Sequence, residues 1–107
     1  MAFTGDEGEM IDPKVGQKMI DNYNKNLAPG ATRAEFFGFR RLSELLGQEK
    51  AIGVRIYYAK DDAGVDRLVL VAVSPEEKNL APIDGNIGAG LVLEQGEKCP
   101  PYCPNKD

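Results

Sequence analysis

With 107 residues, 42% of them apolar and 28% charged, the chain has the length of one domain and the composition of an ordinary folded protein. Apolar and charged content in these proportions argues against wholesale disorder, and a folded chain of this size buries roughly two-thirds of its unfolded surface. The net charge of −4, with acidic groups spread along the chain, argues against a nucleic-acid binder, which needs a basic face. Arg33, Arg40 and Arg41 form only a local basic cluster. There is no histidine, which removes Ser-His-Asp, Cys-His and HExxH chemistry together.

Residues 1–10, MAFTGDEGEM, are Gly- and acid-rich and are expected to be flexible. They lack the basic and apolar segments of a signal peptide. No apolar run approaches the ~20 residues of a membrane helix. The expected location is therefore cytoplasmic, with no membrane association.

Asp12-Pro13 opens a helix, with Asp12 as N-cap and Pro13 in the first turn. Val15, Met19, Ile20 and Tyr23 follow at helical spacing. They predict an amphipathic N-terminal helix over about 13–25, laid on a sheet. Ala28-Pro29-Gly30 ends it.

Residues 31–48 admit two readings. Thr32-Arg33-Ala34-Glu35 matches a capping box for one helix over 33–47. Gly38 would interrupt that helix at a cost of about 1 kcal/mol, which favours a short strand over 33–38 and a helix over 40–47. Leu42, Leu45 and Leu46 fit a helix either way, with Gly47 as C-cap. Phe36, Phe37 and Phe39 are expected in the core.

Gly53 to Ser74 carries the strongest β signal and reads as one hairpin. In the first strand Val54, Ile56, Tyr58 and Lys60 share one side, and Arg55, Tyr57, Ala59 and Asp61 the other. Leu68–Val73 is apolar on both faces, as in a central strand buried on both sides. The connection Asp61–Asp66 is acidic and contains Gly64. Ser74-Pro75-Glu76-Glu77 could start one helical turn. Gly85, Gly88 and Gly90 are spaced GxxGxG, which does not match a phosphate loop and reads as a turn. Leu91–Glu94 suggests a last short strand.

The segment 96–107 is a Pro- and Cys-containing tail with both cysteines, Cys99 and Cys103. Four readings compete. A disulfide needs Cα atoms ~4.4–6.8 Å apart, while extended prolines would separate them by roughly 12 Å. Ring closure therefore requires a cis proline or a sharp bend. A zinc site lacks ligands within one chain, and redox catalysis lacks the CxxC spacing. The leading reading is a structural tail in which Cys and Tyr102 pack and the prolines stiffen the chain.

A helix like MIDNY (Met19–Tyr23), a segment GVRIYYAKD (Gly53–Asp61) leading into LVLVAV (Leu68–Val73), and a CPPYC ending (Cys99–Cys103) together resemble a group of small uncharacterised Bacteroidetes-type bacterial proteins. The resemblance covers most of the chain and favours the strand reading of 33–38. It implies no activity, cofactor or catalytic residue.

The expected fold is α+β: an antiparallel sheet of three or four strands, a long N-terminal helix and a shorter second helix. Cover for both faces of the central strand then comes from two helices on one side and from the tail or a second copy on the other, so a homodimer is a natural partner state. The leading functional reading is a non-enzymatic domain that binds a protein or small molecule, with Arg55 and Tyr57 as the candidate surface. The alternatives are a small enzyme using the turn carboxylates Asp61, Asp62, Asp66 or Glu76, and a metal or redox protein built on Cys99 and Cys103. No cofactor, metal or catalytic residue is assigned.

Overall fold

A computed structural model describes residues 2–104. The fold is α+β, with two helices and two antiparallel sheets. In chain order the elements are α1 (Pro13–Asn24), β1 (Ala34–Phe36), α2 (Phe39–Leu46), β2 (Gly53–Lys60), β3 (Asp66–Val73), β4 (Val92–Leu93) and β5 (Glu97–Cys99).

The expected hairpin forms the main sheet, ordered β2-β3-β4, with Gly53 opposite Val73 and Lys60 opposite Asp66. β3 is central, and Leu70 to Val73 are buried. Its even-numbered face meets α2: Leu45, Leu70 and Ala72 form the core cluster, with Phe37, Leu42, Ala51, Leu68, Leu80 and Leu93 packed around it.

The strand-then-helix arrangement of residues 33–47 is the one observed. Gly38 stands as the N-cap of α2 and Gly47 as its C-cap. β1 pairs not with the main sheet but with β5, Ala34 opposite Cys99, in a separate two-stranded ribbon. The strand in the tail had no sequence signal, because Glu97-Lys98-Cys99 is too short and too polar to show a period.

Glu35 joins the ribbon to the main sheet. Its side chain is only 1% exposed and accepts from Arg67 Nη2 at 2.7 Å and Nε at 3.2 Å. Its other oxygen accepts from the Leu68 backbone N–H at 2.9 Å. Leu68 pairs with Tyr58 but has no β4 partner, since β4 covers only Leu70 and Val71. The carboxylate thus closes the sheet edge where β4 stops. Arg67 also donates to Gly96 O at 3.0 Å and lies 3.4 Å from Glu94. The hydrogen bond to Glu35 raises the Arg67 guanidinium above its ordinary value, against the opposing effect of burial. Gly96 is required here: a Cβ would stand 2.7 Å from Phe36 O and 2.8 Å from Glu35 Cγ.

Two packing expectations are corrected. α1 forms where predicted, with Asp12 Oδ1 accepting from Lys14 N at 2.8 Å. However, at 12 residues it is short, none of its residues is buried, and it does not lie on the sheet. Of the two helices only α2 covers the even face, with Phe37, Ala51 and Leu80 packed beside it. Of the three phenylalanines only Phe37 joins the core; Phe36 is 67% exposed and Phe39 86%. A two-stranded ribbon has an inner and an outer face, and alternation sends Phe36 to the outer one.

The segment after β3 makes a turn rather than a helix: Glu77 N donates to Ser74 O at 3.0 Å, and Glu77 has φ 69°. Gly88 and Gly90 serve close packing, because a Cβ at either would fall within 2.0 Å or 2.9 Å of Leu80 O respectively.

Replacing Glu35 with Ala leaves the Arg67 guanidinium and the Leu68 N–H without their partner in a buried place. The expected loss is about 3–5 kcal/mol in urea unfolding. Glu94→Gln, at a more exposed carboxylate, is expected to cost under about 1 kcal/mol. Equal losses would overturn the assignment of Glu35 as the joint.

Candidate functional site

Arg55 and Tyr57 project from β2 on the odd-numbered face and meet residue 79 on the far side of β3. Arg55 Nη1 donates to Asn79 Oδ1 at 2.6 Å, and Asn79 Nδ2 donates to Tyr57 OH at 2.9 Å and to Ile83 O at 3.2 Å. Tyr57 OH donates to Asp84 Oδ2 at 3.1 Å. Residue 79 bridges to Val73 on the side of β3 opposite β2. The side chains of Arg55 and Tyr57 therefore cross above β3, where Val71 and Val73 are buried. Phe3 stacks beneath the Arg55 guanidinium at 5.9 Å, and its N–H donates to Pro75 O at 3.0 Å. The polar groups of both residues are thus engaged within the chain. Asn79, a buried side chain that uses both ends of its amide, is the organiser, and its local sequence carries no sign of that role.

The opposite side of β2 is different. Val54, Ile56 and Tyr58 lie on the even face; α2 packs mainly on β3 and β4, and only Val54 shares a depression with its last residue, Leu46. All three are exposed, Tyr58 at 94%. β2 is also an edge strand. Asp61 N donates to Val65 O, so the odd-numbered residues form the hydrogen-bonded pairs with β3. The N–H and C=O groups of Val54, Ile56, Tyr58 and Lys60 consequently face outward from the sheet edge. Lys60 pairs with Asp66.

The apolar stripe of α1 is equally bare: Val15, Met19, Ile20 and Tyr23 are each more than half exposed. Tyr23, at the foot of the helix, lines an open depression of about 530 Å³ with Arg33, Ala34, Tyr58, Arg67 and Leu68. The helix thus rises next to the uncovered end of β2.

Cys99 and Cys103 form a disulfide, with Cα atoms 4.7 Å apart. The Cys99–Pro100 and Pro100–Pro101 bonds are cis, and the chain turns back with Tyr102 N donating to Lys98 O at 2.8 Å. Arg33 fastens the ring to β1: its N–H donates to Cys99 O at 2.9 Å and its Nη2 to Cys103 Sγ at 3.2 Å.

Two of the turn carboxylates have local structural partners. Asp61 holds its own loop, accepting from Ala63 N and Val65 N, both at 2.9 Å. Asp66 is engaged with Lys60. Among the described residues no group of three or more His, Cys, Asp or Glu side chains could hold a metal ion, and no helix is long and apolar enough to cross a membrane.

Comparison with known protein families, with curated proteins and with solved structures gives no match.

Asn79→Ala is expected to cost about 1–3 kcal/mol, because it strips a partner from Arg55 and from Tyr57; urea unfolding measures this. The Asp61 carboxyl is held below the usual carboxylate range, chiefly by the Val65 N–H and also by the Ala63 N–H. The unfolded chain then binds the proton more readily. Asp61 thus contributes stability above pH ~4, lost as the pH falls through the lowered native value. Asp61→Asn should flatten the acid limb of a stability–pH curve, and an unchanged limb would refute this role.

Proposed function

We propose that the protein works by association, as a non-enzymatic interaction domain. The observation that supports this reading is the pairing of two uncovered apolar surfaces, the stripe of α1 and the Val54–Ile56–Tyr58 face of β2. Contiguous exposed apolar surface next to an open strand edge is characteristic of a binding site. On this reading the contact surface is the face of β2 opposite Arg55 and Tyr57, and those two residues fasten β2 across β3 to Asn79 and Asp84.

The resemblance to small Bacteroidetes-type proteins adds no activity to this reading. On location, the Cys99–Cys103 disulfide favours an oxidising compartment over the cytoplasm, since such links persist mainly there.

Ile56→Lys and Met19→Lys test the association. Both replace exposed side chains, so the circular dichroism spectrum is expected to be retained. In sedimentation of the protein, alone and in cell extract, the parent should migrate in complexes that both variants lose. Complexes of the same size in parent and variants would overturn the reading.

A further inference from the structure

We propose that the occupant of this surface is a second copy of the chain, in a twofold dimer that joins the two β2 edges and exchanges α1; this rests on the association reading above. Three observations converge on it.

The first is surface area. A compact monomer of this mass exposes about 5,900 Å², whereas this chain exposes 8486 Å². The excess, roughly 2,600 Å² per chain, is shared by the α1 stripe and the β2 face with other exposed residues such as Met10, Phe39 and Ile87, and it leaves room for an interface of the size obligate homodimers bury. The radius of gyration tells the same story: 15.6 Å, against about 13 Å for a compact domain of this length.

The second is self-complementarity. The outward backbone groups of β2 belong to Val54, Ile56, Tyr58 and Lys60, so an antiparallel copy centred on Tyr57 sets Ile56 opposite Tyr58 and Val54 opposite Lys60. Directly opposed residues share a face. The apolar side chains of both copies would therefore form one continuous patch on the even face. No like charges are opposed: Arg55 meets Ala59, and Lys60 meets Val54. The strand contains no proline or bulge that would block its edge. An isologous contact of this kind closes on itself and leaves no further edge of β2 to extend.

The third is the position of α1. Its foot, at Tyr23, shares a depression with Tyr58. In the centred register Tyr58 of one copy adjoins Ile56 of the other, so α1 rises where the other copy's face is bare. The connection back to β1 contains two turns, with Leu27 N donating to Asn24 O at 3.2 Å and Ala31 N to Ala28 O at 3.1 Å, and it is anchored at its far end where Arg33 N donates to Cys99 O at 2.9 Å. It directs the helix away from its own core. α1 carries Lys14 and Lys18 against Asp21, with Asp12 and Lys25 at its caps, and the chain as a whole is acidic. That balance fits another protein surface better than an anionic membrane.

Light scattering on the purified protein at micromolar concentrations reads the oligomeric state, and an isotope-filtered NMR experiment on a mixture of labelled and unlabelled chains reads the contact. The expected result is a dimer with intermolecular contacts from Met19 and Ile20 to Ile56 and Tyr58, converted to monomer by Ile56→Lys and by Met19→Lys. The β2–β3 amides should stay protected from hydrogen exchange in both variants. A monomeric parent, contacts that are purely intramolecular, or a dimer that survives both substitutions would overturn the proposal. A monomer that still enters complexes in cell extract, lost in both variants, would overturn self-association and leave the association reading standing. A monomer that forms none, or one that binds only anionic vesicles, would overturn both.

Discussion

The carboxylate of Glu35 holds this fold in one piece. A two-stranded ribbon is marginal alone, and the β1–β5 ribbon meets the main sheet through this side chain. One oxygen takes the Arg67 guanidinium and the other takes the Leu68 N–H. A buried carboxylate is costly unless its lone pairs are filled. Here both oxygens are filled by β3, so the position of the ribbon is specified as well as stabilised. Gly96 completes the joint by letting β5 approach at a distance no side chain would permit.

The second edge of β3 is assembled from unlike pieces in sequence. Glu35 serves Leu68, β4 serves Leu70 and Val71, Leu80 N donates to Ala72 O at 3.0 Å, and Lys78 O accepts from Ser74 N at 2.9 Å. Every donor and acceptor on that edge named here has a partner inside the chain. The β2 edge is built on the opposite principle. Its odd-numbered groups are spent on β3 and its even-numbered groups face outward, beside apolar side chains that are exposed. The second edge of β3 is thus closed while the outer edge of β2 is open, and the interaction reading rests on that contrast.

The closed side also explains why Arg55 and Tyr57 stood out as polar residues on a strand. They are long enough to cross β3 and meet Asn79, and the stems that cross shield the valines beneath. A strand residue with a polar tip reads from sequence as a surface feature, yet here the tip is a fastening and the stem is cover. The disulfide plays a comparable part for the tail. With Arg33 hydrogen-bonded to both of its cysteines, it pins the Cys99–Cys103 segment to the start of β1.

The chain by itself determined most of the local elements, while for residues 31–48 it left two readings open. Asp12-Pro13 starts α1, Gly47 ends α2, and Leu68–Val73 is apolar on both faces, as a central strand requires. These follow from backbone preferences and from side-chain period, which act over a few residues and are written in order along the sequence. Only the tertiary structure decided what each element touches. Whether α1 lies on the sheet depends on the turns at Asn24–Arg33 and on the extent of α2, not on the stripe of Val15, Met19, Ile20 and Tyr23, which looks the same covered or bare. The pairing of β1 with β5, the reach of Glu35 to Leu68 and the bridge from Arg55 to Asn79 join residues far apart in the chain. Partners of that kind leave no period in the sequence, because they are chosen by the spatial course of the whole backbone.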